Sequence, residues 1–240
     1  MIVTGGVTGY GITQANVKPI SSLSLAADTI EPRKAVATIV VNDELAKFGT
    51  PASEKLFNAE LRKGVAAATD GAFLAGLADG VTPSASAGIS AANVLTDLQT
   101  LLAAITTGPN SRLYFIIDAT NAKKLVTKTN SSGAIAFASF GINGGEILPG
   151  VTALVTDQLP ANTAMLIDAT GILGETSNVD LKMARHATMQ FDTAPDSPPT
   201  ALTGLVSLWQ YNLRALMAER WFGFSKARST AVAMLSGVAY

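Results

Sequence analysis

The side chains able to do chemistry in this 240-residue chain are few and scattered. His186 is the single histidine, so any Ser-His-Asp relay would have to use it. It lies beside Arg185 in "VDLKMARHATMQF", where a lone histidine is more often a surface residue than a base. No G-x-S-x-G turn supplies a serine. Cysteine is absent, which removes thiol nucleophiles, thiolate metal sites and disulfides. Metal binding needs several converging ligands. The acidic pair Asp192 and Asp196 straddles the proline-rich "DTAPDSPPT" and reads as solvation of that break. "GGVTGYG" lacks the G-K-[ST] ending of a phosphate loop. Asp118 and Asp168 each precede Ala-Thr after an apolar run, a routine strand-exit or helix-cap device. One pair is left over: Glu219-Arg220, set in the apolar "SLWQYNLRALMAERWFGF". Nothing here supports an enzyme, a cofactor or a metal.

The elements that must position these residues are legible in part. Residues 207–224 match helical and strand periodicity about equally well. "ISSLSLAADTI" (20–30) and "AVATIVV" (35–41) alternate, and "EPRK" between them suits a turn, so the two read as a β-hairpin with little core of its own. A long helix runs from Thr50-Pro51 to about Gly76, with an apolar stripe of Leu56, Ala59, Val65, Ala66 and Phe73. Ser90 caps a second helix with the stripe Val94, Leu95, Leu98, Leu101, Leu102 and Ile105. "RLYFIID", "VTALVT" and "AMLIDA" read as strands, "ATNAKKLV" as a short helix, and "TAVAMLSGVAY" as a terminal strand. The mixed order gives an α+β class.

Composition narrows the function. Charged residues make up 15% and hydrophobic residues 48%, with a net charge of −1. Ordinary soluble domains carry about 25% charge. No apolar run is long enough to cross a membrane, so contacts among subunits best explain a surface poor in charge. Tight neutralisation of nucleic-acid phosphates needs clustered Lys and Arg, and the whole-chain balance argues against it.

The segment "VSLWQYNLRALMAERWFGF…AVAMLSGVAY" (206–240) resembles the C-terminal region of tailed double-stranded-DNA bacteriophage major capsid proteins of the Hong Kong 97 type. In that family an alternating strand ends in Glu-Arg, followed by an aromatic and a last strand. "VATIVVNDELAKF", "DGAFLAGLADGVTPSASAGI", "RLYFIIDATNAKKL" and "GGEILPGVTALVTDQLP" are similar to further family segments in the same order. The resemblance covers residues 17–240.

It implies a Hong Kong 97-like capsid fold with a long spine helix, an extended β-hairpin loop, and peripheral and axial domains. Residues 1–45 would hold the N-terminal segment and extended loop. Residues 46–88 and 179–224 would form the peripheral domain, and residues 89–178 with 225–240 the axial domain. The implied function is a non-enzymatic shell subunit that self-assembles through hexamers and pentamers into an icosahedral virion capsid around phage DNA. Its partners would be itself, portal and scaffolding or decoration proteins, and DNA without regard to sequence; no membrane is implied. Assembly would take place in the host cytoplasm. The alternatives are an encapsulin-like compartment shell and, further off, a small-molecule enzyme.

The resemblance also makes 207–224 a strand. Trp209, Leu213, Met217 and Trp221 would then share one face against the spine helix as the core of the peripheral domain. Glu219 would anchor within the sheet and Arg220 toward a neighbouring subunit. Lys18, Arg33 and Lys34 fall on the expected hairpin and read either as contacts to a neighbour or as solvated charge. The family's N-terminal arm and scaffolding segment are not matched, so their roles are not carried over. In some members a Lys-to-Asn cross-link forms, promoted by a glutamate. Aligned on Glu219-Arg220, the glutamate position holds Ala218 and the asparagine position falls near Tyr211, one residue from Asn212. No such cross-link is expected.

Overall fold

The computed structural model describes residues 2–5, 9–14, 17, 18, 20, 21, 24–26, 29–48 and 51–240. In chain order the first elements are β1 (Ile2–Gly5), β2 (Ser24–Ala26), β3 (Arg33–Asn42), α1 (Asp43–Phe48), α2 (Pro51–Ala78), β4 (Ser84–Ala85) and α3 (Ala91–Ala104). The middle holds β5 (Leu113–Asp118), α4 (Ala119–Val126), β6 (Phe140–Gly141), β7 (Gly144–Leu148), β8 (Val151–Thr156) and β9 (Thr163–Asp168). Then come β10 (Ile172–Thr176), β11 (Asp180–Ala184), β12 (Thr188–Gln190), β13 (Leu205–Ser207), β14 (Leu213–Lys226) and β15 (Val232–Ser236). Contacts divide the chain into two compact units.

The first unit comprises Met1–Glu31, Leu77–Gly174 and Phe224–Tyr240. Its seven-stranded sheet has the order β4-β15-β9-β5-β8-β7-β6. Central β5 pairs parallel with β8 and antiparallel with β9. β5, buried along most of its length, reads as an unbroken apolar run for that reason. Helix α3 starts where Ser90 Oγ accepts from the Asn93 backbone N–H at 3.1 Å. Val94, Leu98, Leu101 and Ile105 enter one core with Phe115, Ile117, Leu125 and Leu166. Leu95, expected in that stripe, is exposed.

The second unit comprises Pro32–Gly76 and Glu175–Gly223. β14 pairs antiparallel with β3 in register from Leu213↔Asn42 to Phe222↔Arg33. On its other edge it pairs with β11 from Asp180↔Glu219 to Ala184↔Ala215. β3 is therefore a sheet strand and not one arm of a hairpin with residues 20–30. The described part of that region, β2, pairs with β1 instead. Arg33 and Lys34, expected in a turn over 31–34, instead open β3 and pair with Phe222 and Trp221, because β14 offers β3 a long partner from far along the sequence. Thr50, the expected helix cap, lies outside the described residues.

Ala37 fixes which face of this sheet meets α2. A Cβ placed on Gly64 of α2 would lie 3.2 Å from the Ala37 Cβ, and Ala37 stands opposite Ala218. The helix thus covers the face carrying Ala37, Leu216 and Ala218. Small residues there allow the close approach. The α2 residues buried are Leu61, Val65, Leu74 and Leu77, whereas Leu56 is exposed. Leu61→Ala should lower unfolding stability of the isolated subunit by about 2–5 kcal/mol. Leu56→Ala should change it by under about 0.5 kcal/mol. Equal losses in denaturant titrations would contradict this assignment of the helix face.

Candidate intersubunit site

Glu219 is the centre of the second unit's open sheet face. Odd-numbered residues of β14 point away from α2, so Glu219 shares a face with Trp221 and, across the ladder, with Lys34 of β3 and Lys182 of β11. Glu219 is 3% exposed. Lys182 Nζ bonds one carboxylate oxygen. Lys34 Nζ approaches the other as an ion pair, without hydrogen-bond geometry. The same ammonium lies 5.3 Å from the centroid of the Trp221 ring, a cation–π distance. Two lysines from the flanking strands therefore screen the carboxylate from water. A buried carboxylate left alone would cost several kcal/mol, roughly, which makes both lysines structural.

Arg220 points to the opposite face, and its Nε donates to the Ser177 carbonyl at 3.1 Å. Ser177 also closes the backbone next door. Its hydroxyl accepts from the Trp221 N–H at 3.0 Å, and its own N–H donates to the Trp221 carbonyl at 2.8 Å. Glu219-Arg220-Trp221 is thus where β14 loses β11 as partner and the chain around Ser177 takes over.

The expected core set needs correction. Trp209 is 70% exposed and Trp221 48%. Leu213 and Met217 are half-buried. The odd-numbered face is the open one, so these residues do not pack on α2. Trp209 is not in the strand at all: Asn212 adopts a positive φ of 52° and breaks the alternation before β14 begins. The buried hydrophobic residues of this segment are Leu208, Ala215, Ala218 and Phe222. Lys18, Arg33 and Lys34 are all exposed as residues. His186 is exposed, and among the described residues no cluster of metal-ligating side chains occurs.

Sequence reasoning missed three carboxylate hubs as joints between elements. Asp43 opens α1 and is buried. It accepts from Arg214 Nε at 3.1 Å and Nη2 at 2.5 Å, and pairs with Lys47 at 2.8 Å. The hydrogen bonds from Lys47 and Arg214 hold its carboxyl down at about 2, against 3.8 ordinarily. A depressed carboxylate contributes stability above its unfolded pKa and loses it as pH falls through the folded one. The Asp43 contribution is therefore full above pH 3.8 and fades toward pH 2.

Asp168 is fully buried in the first unit. It accepts from Ser111 Oγ (2.7 Å), the Arg112 N–H (3.1 Å), the Thr170 N–H (3.1 Å) and hydroxyl (2.8 Å), and Arg228 Nη2 (2.7 Å). Burial pushes its pKa up, but these donors outweigh it and leave the carboxyl well below the usual range. Gly171 makes room for this joint: a Cβ there would lie 2.5 Å from the Ala231 Cβ and 3.0 Å from Arg228 Nε. Asp97, sitting within the apolar stripe of α3, accepts from Ser86 Oγ and the Ala87 N–H, each at 2.6 Å, and from the Tyr240 hydroxyl at 3.0 Å. Burial and the Asp97 charge push the Tyr240 pKa up. Asp118 caps α4, accepting from the Thr120 and Asn121 N–H groups at 3.1 Å each. Its echo Asp168 caps a 3-10 turn on the neighbouring strand, so the cap reading of both "IDAT" segments holds.

Comparison with known proteins identifies the architecture. The capsid polyprotein of Pseudomonas phage PAJU2 is 31% identical over 254 aligned positions that take in 98% of this chain. The chain spans 38% of that polyprotein's length. No family model matches the chain. A structure from Gordonia phage Cozz superposes with a TM-score of 0.66 at 14% identity, covering 100% of this chain and 80% of that one. The fold is the Hong Kong 97-type capsid fold. A structure from Mycobacterium phage Adephagia gives 0.64 at 10% identity, covering 100% and 84%. The capsid of an empty GTA particle gives 0.63 at 15% identity, covering 97% and 81%. The resemblance carried by residues 206–240 is thereby borne out for the fold.

Glu219, Lys34 and Lys182 should be coupled in stability. Lys34→Met with Lys182→Met should destabilise the subunit by roughly 1–3 kcal/mol, less than a fully enclosed pair because both ammonium ends stay partly wet. Adding Glu219→Gln should restore much of that loss. Denaturant midpoints of the three proteins decide; a Gln that deepens the loss would mean the carboxylate does not depend on the lysines.

Proposed function

We propose that this chain is a major capsid subunit that self-assembles through hexamers and pentamers into an icosahedral shell around phage DNA, with no catalytic role. The observation that carries this reading is that the fold of nearly the whole chain recurs in the capsid of a GTA particle and in phage structures, joined to 31% identity with a phage capsid polyprotein. The surface agrees. Trp209, Tyr211, Phe191 and Leu205 expose large apolar area in a chain with 15% charged residues. Apolar exposure on that scale suits burial against further copies.

In this reading the second unit acts as the peripheral domain with α2 as its spine, and the first as the axial domain. The β1–β2 region serves as the extended loop. Lys18, Arg33 and Arg220 are placed at contacts between copies, while Glu219 and Lys34 hold the sheet that presents them. The proposed partners are other copies, portal and scaffolding or decoration proteins, and packaged DNA. The proposed site of assembly is the host cytoplasm, and the finished protein resides in the virion capsid. Ala218 lies fully buried on the α2 face, which puts no carboxylate at the cross-linking position.

Negative-stain electron microscopy of the purified chain should show shells or capsomer rings. A boiled denaturing gel of the same material should show one band at the monomer mass. A dispersed monomer at every concentration would sink the assembly reading, and a ladder of covalent multimers would sink the cross-link expectation.

A further inference from the structure

Helix α4 carries Lys123 and Lys124 in its last turn, and Lys128 follows directly after its capping residue Thr127. The buried face of the helix, Asn121, Ala122 and Leu125, is fixed in the first unit. This turns Lys123 and Lys124 to solvent and leaves Lys128 half-buried. Among the described residues none of the three forms an ion pair. Among the described residues, the one hydrogen bond from their ammonium groups is Lys124 Nζ to Asn121 Oδ1 at 3.3 Å. No Asp or Glu lies in sequence between Asp118 and Glu146. Asp118 is spent on the helix cap, and Glu146 accepts from the Gly150 N–H at 2.5 Å. The C-terminal end of a helix dipole amounts to about half a negative charge, so it accounts for one of these cations and not three.

The segment that follows is tied by hydrogen bonds. The Ala136 N–H donates to the Lys128 carbonyl at 2.8 Å, and Thr129 bridges Ile135. Asn130 Oδ1 organises the loop between by accepting from the Ser132 N–H and hydroxyl and the Ala134 N–H. Thr127, Thr129, Asn130, Ser131 and Ser132 flank Lys128 in sequence with short polar side chains. Lysine and serine are depleted at protein–protein interfaces. Ammonium groups with hydroxyl and amide neighbours are the ordinary contacts of a sugar-phosphate backbone.

We propose that Lys123, Lys124 and Lys128 form a contact site for the phosphates of double-stranded DNA, read without sequence preference. The whole-chain charge of −1 hides this site because several of the other basic groups are tied to carboxylates or carbonyls. One copy binds weakly; repetition over many linked copies makes the contact effective. The proposal rests on the shell reading only for the origin of the DNA, and it is tested on the subunit itself.

The probe is a short fluorescent duplex of arbitrary sequence, titrated by anisotropy. Three phosphate contacts at a slope of roughly 0.9 each should cost wild type about 80-fold in affinity between about 20 and 100 mM salt. Lys123→Gln/Lys124→Gln/Lys128→Gln, checked for folding by circular dichroism, should bind at least about tenfold more weakly at low salt and lose about 2–3 from the slope. A control triple variant on α2, Lys55→Gln/Arg62→Gln/Lys63→Gln, should keep both. Absence of duplex binding by wild type, an unchanged slope in the α4 variant, or equal loss in the control overturns the proposal. Micrographs separate it from the shell reading. The α4 variant should still form shells, and loss of shells with the duplex slope retained would assign the lysines to a contact between copies. If wild type forms no shells, the shell reading fails and the duplex titration still decides this one.

Discussion

Every backbone N–H and C=O taken out of water must find a partner, and β14 meets that demand over 14 residues. β3 closes one edge from Leu213 to Phe222, and β11 closes the other from Ala215 to Glu219. Where β11 stops, Ser177 takes both backbone groups of Trp221, and β10 also pairs with β14. Ala218 and Ala37 then bring α2 close to this strand, and Lys34 and Lys182 converge on Glu219 from the strands either side. The second unit is arranged around one strand that has no free edge along its middle.

Carboxylates do the joining elsewhere. Asp43 ties the start of α1 to β14, Asp168 ties the end of β9 to Arg228, and Asp97 ties α3 to Tyr240. Each is buried and each holds several donors. A chain with few charges spends many of them internally, and large apolar side chains such as Trp209 and Leu202 stand exposed. Among the described residues the lysines of α4 take part in no ion pair.

How much of this could be read in the sequence depends on how local the cause is. Ser90, Asp118 and Asp168 act on backbone two or three residues away, and their capping roles follow from position. The α3 stripe follows from spacing, except that Asp97 sits inside it; a carboxylate in an apolar stripe is itself a signal of a buried joint. The partner of β3 was not legible, because Asn42 meets Leu213 far along the chain and alternation says nothing about partners. Alternation in β14 separated its two faces but could not say which one α2 covers. Alternation put Trp221 on one face with Leu213 and Met217, but the close helix approach selected the face of Ala37 and Ala218, and Trp221 lies on the open one. Asn212 carried a hint, since asparagine tolerates positive φ and often marks a turn before a strand.

The central claim is that β14, closed on both edges, is the last part of the second unit to open. Amide hydrogen exchange on the isolated subunit tests it most directly. The amides of Ala215 through Glu219 should exchange only through global unfolding, with protection equal to the subunit's full stability. Exchange there as fast as in the exposed 192–204 loop would contradict the account.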